Sequence, residues 1–81
     1  MTVTPEQVRD ARKLLRWSLD RLAGEVGISS KSMAQFEQTG QVPIKMDLSA
    51  LRASLEAAGV IFVEENGEGP GVRLRKARGG Q

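Results

Sequence analysis

The chain has 81 residues, and twelve Lys and Arg against ten Asp and Glu leave a net charge of +2. That length fits one domain and not two, with a core small enough that helix packing and a partner subunit are expected to support it. There is no Cys and no His. Disulfide staples and the usual zinc ligand sets are therefore excluded, and a charge excess this small names no polyanionic partner by itself. No long apolar run or signal-peptide core is present, so the expectation is a cytoplasmic protein with no membrane association, no metal and no cofactor.

Met1 to Val3 are expected to fray. Thr4-Pro5-Glu6-Gln7 begins a helix: Thr4 caps it, Pro5 takes the first position and Gln7 reaches back in a capping box. This helix is expected to run to about Arg16, with Val8, Ala11, Leu14 and Leu15 as its apolar stripe. Arg9, Lys13 and Arg16 share an outer face, which reads first as solvated and second as a surface for phosphate. Trp17 fills the joint to the next helix. Ser18 caps that helix, Leu22 and Val26 face inward from it, and Ala23 and Gly27 let another helix approach closely. Gly27 also turns the chain, with φ > 0. Ile28 plugs the corner and Ser29 caps a third helix. Met33 and Phe36, three apart, face back onto Leu22 and Val26. Ser30, Lys31, Ala34, Gln35 and Gln38 are left on the outer side. Two short helices with a dry inner face and this outer face suit a helix-turn-helix that reads DNA.

Thr39-Gly40-Gln41 ends the third helix, and Pro43 keeps Val42 extended. A fourth helix is expected from about Met46 to Ala58. Asp47 suits its positive end, Leu48, Leu51, Leu55 and Ala58 line its inner side, and Gly59 stops it. Val60 to Val63 is a short β-branched run, Glu64-Glu65-Asn66-Gly67 turns it, and Val72-Arg73-Leu74-Arg75 alternates apolar with basic. Residues 60–75 therefore read as a β-hairpin with a Gly/Pro loop, Gly67 to Gly71. Two strands alone are marginal in water, and an apolar edge invites another chain. Either the hairpin joins two subunits, by edge pairing or by its Val60, Phe62, Val72 and Leu74 face, or it folds back on its own fourth helix. The expected organisation is a helix-turn-helix domain over 4–59, a hairpin over 60–75 as a dimerisation element, and a basic tail over 76–81.

The run Trp17-Ser18, Leu22-Ala23, Gly27-Ile28-Ser29, Ser32-Met33, Glu37, Gly40 and Pro43 resembles the lambda-repressor-like, Cro-type (XRE family) helix-turn-helix proteins, over about Ala11 to Gly59. The resemblance implies a mostly α, four-helix domain, here followed by a C-terminal β-hairpin, that binds double-stranded DNA. By position Ser30, Lys31 and Gln35 match the family's base-reading places. Gln pairs bidentately with adenine, Lys donates to guanine, and Ser does either. Ala34 is placed for a thymine methyl and Ser32 for a phosphate. In the resembled class the loop after the third helix follows the sugar-phosphate backbone, which makes Gln41 and Lys45 candidates. The class also pairs an Arg at the place of Arg12 with a Glu at the place of Glu37, and that Arg often touches phosphate too. The chain departs from the pattern at Leu19, where the family often has a phosphate-touching Gln. Ser18 and the backbone N–H groups at that helix start are the substitutes. It departs again after Gly59, where a five-helix domain would add a helix.

The function expected first is a homodimeric, sequence-specific repressor, with two recognition helices about 34 Å apart on a partly palindromic operator. The alternative is a protein-interaction module such as an antitoxin, its hairpin serving a protein partner and its DNA binding secondary. An enzyme is not expected: without His, Cys or Tyr few catalytic groups remain, and no Ser has an evident base beside it.

Overall fold

The computed structural model describes residues 3–63 and 71–75. The expected turn at Glu64 to Gly67, the Gly/Pro loop as far as Pro70 and the basic tail lie outside the described residues. Four helices, α1 (Pro5–Leu15), α2 (Leu19–Val26), α3 (Ser30–Thr39) and α4 (Leu48–Ala57), precede two antiparallel strands, β1 (Val60–Val63) and β2 (Gly71–Leu74). This is the mostly α, four-helix architecture with a C-terminal hairpin that the pattern predicts.

Local chemistry sets the helix ends. The Thr4 hydroxyl accepts from the Gln7 N–H and the Gln7 side-chain oxygen accepts from the Thr4 N–H, each at 3.0 Å, closing the capping box on α1. Ser18 and Ser29 cap α2 and α3 by accepting from the N–H groups of Arg21 and Ser32. At the other ends Arg16, Gly27 and Gly40 all adopt left-handed backbone. Arg16, expected as the last helical residue, instead stands outside α1 with φ 60°. Gly27 is needed for its φ of 76° and not for close approach, since a Cβ there would touch nothing within 4 Å. α4 also starts later than expected. Asp47 is its cap, accepting from the N–H groups of Ser49 and Ala50, while Met46 is buried ahead of it and Ala58 ends it at the surface.

The helices share one core. Val8, Ala11, Leu22, Met33, Leu51 and Leu55 are fully buried, with Ala23, Phe36 and Met46 close behind. Leu15, Trp17, Leu19, Val26, Ile28 and Leu48 pack against them at partial exposure. Two expectations for α1 and its lead-in are corrected. Val3 is not frayed but sits in the core at 5% exposure. Leu14 is 40% exposed, because the buried side of α1 is turned toward Gln7, Val8 and Ala11 and leaves Leu14 at its margin.

The hairpin closes the open side of the helices. Val60 pairs with Leu74, Ile61 with Arg73, Phe62 with Val72 and Val63 with Gly71, so Gly71 opens β2 instead of ending the loop. Directly opposed residues share a face. The Val60 and Phe62 side of that face enters the helical core, at 1% and 9% exposure. β1 lies on α4 and α1, and β2 lies on α1. The hairpin therefore folds onto its own chain, and Val60 and Phe62 are not free to pack against another subunit. A contact absent from the sequence reading holds it there. The Gln7 side-chain amide donates to the carbonyls of Gly71, at 3.1 Å, and Val63, at 3.4 Å. Gln7 is nearly buried and engaged on both its oxygen and its nitrogen, as a polar side chain at such a depth must be.

Candidate nucleic-acid interface

α3 has two unlike sides. Met33, Phe36 and Glu37 are buried on the inner one. On the outer one Lys31 and Gln35 are exposed, with Ser30, Ser32 and Ala34 half-buried. The inner side is tied to α1 by a two-point ion pair: Arg12 Nε donates to Glu37 Oε2 at 2.9 Å and Arg12 Nη2 donates to Glu37 Oε1 at 3.0 Å. Arg12 Nη1 also donates to the carbonyl of Trp17, at the joint between α1 and α2. The hydrogen bond from Glu37 is the main reason the Arg12 guanidinium is held above its ordinary pKa, with the carboxylate charge adding to it and burial opposing it. An Arg–carboxylate fork fixes orientation as well as distance, so the roll of α3 against α1 is set.

The same geometry limits Arg12 as a phosphate ligand. Its side chain is 16% exposed and all three of its nitrogens already donate inward. Two other candidates are engaged within the chain. The Ser18 hydroxyl holds the Arg21 N–H, and the Ser30 hydroxyl donates to Oδ1 of Asp20 on α2. Asp20 therefore brings a carboxylate to the start of the outer side of α3. Behind it, the Arg21 guanidinium lies over the Trp17 ring, 4.4 Å from the centroid, and pairs with Glu25.

A cleft of about 520 Å³ lies between α3 and the α3–α4 loop. Ser29, Ser32 and Gln35 line its helix side, and Gln41, Val42, Pro43, Ile44 and Lys45 line its loop side. Thr39 joins the two walls: its hydroxyl donates to the Gln35 carbonyl at 2.8 Å and accepts from the Gln41 N–H at 3.1 Å. The Ser29 hydroxyl donates to that of Ser32 at 3.0 Å. Of the expected site residues, Ser32, Gln35, Gln41 and Lys45 come together here. Ser18, Ser30, Lys31, Ala34 and Arg12 do not line the cleft. Its one charged lining residue is Lys45. Ile44 escaped the sequence reading: it lies outside both helical stripes, in a loop that also holds Val42 and Pro43, and no pattern there distinguishes a buried Ile from an exposed one.

Among the described residues no three of His, Cys, Asp and Glu come together as a metal site, and no helix is long and apolar enough to cross a membrane. No protein-family model matches the chain, and no curated protein matches it either.

Proposed function

We propose that the chain is a sequence-specific DNA-binding transcriptional regulator of the lambda-repressor-like, Cro type, acting in the cytoplasm as a dimeric repressor. One observation carries the reading. Lys31 and Gln35 stand exposed on α3, while Met33 and Phe36 close its opposite side. The only carboxylate on α3 is Glu37, buried and neutralised by Arg12, so beyond Asp20, which sits against Ser30 at its start, the outer side presents donors and amides to a polyanion. α3 enters the major groove, Lys31 and Gln35 read base edges, and Gln41 and Lys45 follow the phosphates. With Val60 and Phe62 occupied by their own core, the second subunit joins through the outer edge of the hairpin.

Selection of bound duplexes from a random pool, at low and at high salt, tests this. A preferred site is expected, with affinity falling steeply as salt rises. Lys31→Ala and Gln35→Ala are each expected to lose about 1–3 kcal/mol of discrimination, at one base position apiece. Equal retention of all sequences by the intact protein would defeat the proposal.

A second reading, a protein-interaction module such as an antitoxin, is favoured by a different feature. A cleft of about 410 Å³ between α1 and β2 is lined by Asp10, Lys13, Leu14, Gly71 and Val72. Leu14 there is 40% exposed, and Leu74 at the end of β2 is 44% exposed. A stoichiometric protein partner that co-purifies with the chain, and is lost on Leu14→Lys, would support it over the first.

A further inference from the structure

Ile44 has 102% relative exposure, and Val42, two residues before it, has 43%. An isolated surface Leu or Ile is ordinary. Ile44 differs in being wholly exposed while lining the larger cleft, beside a second exposed apolar side chain. It adds nothing to the folded core, so its apolar surface is available to whatever the cleft receives.

The rest of the lining indicates what that is. The loop wall carries a cation, Lys45, and an amide, Gln41, and the helix wall carries Gln35 and two hydroxyls. No carboxylate lines the cleft. A surface that is cationic, rich in donors and apolar at one rim complements a nucleic-acid strand, whose phosphates take the donors and whose only apolar group on a base edge in the major groove is the thymine methyl. The Thr39 hydroxyl bonds hold the start of the loop to the end of α3, so both walls meet one strand together.

Resting on the DNA-binding reading, we infer that Ile44 is a specificity-determining residue: it packs against the 5-methyl group of one thymine next to the base read by Gln35. Val42 flanks that contact and Lys45 holds the adjoining phosphate. The loop thus reads a base as well as positioning the backbone.

Deoxyuridine differs from thymidine only by that methyl group, and this makes the test specific. The preferred duplex is selected with the full chain, each of its thymines is replaced in turn by deoxyuridine, and affinities are measured for the natural chain and for Ile44→Ala. Replacement at one thymine is expected to weaken the natural chain about three- to tenfold, the value of one buried methyl contact. Ile44→Ala should weaken binding to the thymine duplex by a similar factor and be indifferent to that replacement. Its thermal transition should match that of the natural chain, because no folded contact is removed. The inference is overturned if no thymine matters, if Ile44→Ala binds as the natural chain does, or if its loss is the same on both duplexes. Those outcomes leave the regulator reading standing, since a preferred duplex has been found. Failure to select any preferred duplex overturns both.

Discussion

At the scale of single residues, the Arg12–Glu37 fork is a costly contact to break from one side. Both partners are largely removed from water, so deleting one strands the other, and a penalty of roughly 3 kcal/mol is expected for Arg12→Met or Glu37→Leu alone. The double variant is expected to lose much less than the sum, because no charge is then left buried. Urea unfolding of the four proteins measures this coupling directly. Under the proposed DNA-binding role, the Ser30–Asp20 contact acts in the other direction, on binding. Asp20 sets a negative charge beside the outer side of α3, and Asp20→Asn removes a repulsion from any duplex. Affinity for unrelated DNA sequences is expected to rise several-fold for that variant, read by titration at low salt. The two contacts differ in how legible they were. The fork was implied by a resemblance that places an Arg and a Glu at matched positions. The Ser30–Asp20 bond crosses from one helix to the next, and only the crossing of α2 and α3 brings the two together. Ile44 was missed for a related reason, since exposure is a property of the folded surface and not of a pattern.

At the scale of elements, the starts of the first three helices were readable almost to the residue, because Thr4, Ser18 and Ser29 each cap by accepting the N–H of the residue three positions on. Ends were harder. Gly27 and Gly40 announce a left-handed turn, but Arg16 adopts one without being a glycine. For a non-glycine residue that conformation costs about 1–2 kcal/mol. Arg16→Gly removes that strain but adds unfolded-state freedom of about 0.4–1 kcal/mol. The difference leaves a net gain of about 0–1.6 kcal/mol in unfolding free energy. Gly40→Ala is the opposite case. The added Cβ would meet Pro5 Cγ at an ordinary 3.5 Å, so its cost comes from φ 80° and not from crowding. A loss of about 1 kcal/mol is expected, measured by the same urea titrations. The fourth helix was placed early because Met46 continues its apolar spacing. The Asp47 side chain, bonded to two N–H groups after it, fixes the true start.

At the scale of the whole molecule, the hairpin was legible as two strands but not as part of the core. Periodicity shows that Val60, Phe62, Val72 and Leu74 share a face, and leaves open which surface that face meets. In the structure it meets α1 and α4, so cutting the chain after Gly59 removes Val60 and Phe62 from the interior. Burial of two such side chains contributes on the order of 3–6 kcal/mol, a large part of what holds a domain of this size together. The truncated chain is expected to lose its cooperative melting transition, followed by circular dichroism, and sedimentation of such a fragment would report unfolding before it reported an interface.

The amide of Gln7 carries a consequence in time. Its acceptor at Gly71 lies 64 positions further along the chain. A ribosome must therefore have released the chain as far as Gly71 before the first helix meets its final neighbour. Until then the surface later covered by the two strands stands open, and the newborn chain is a client for whatever shields greasy, half-made segments. The packed domain comes into being only once its second strand has emerged.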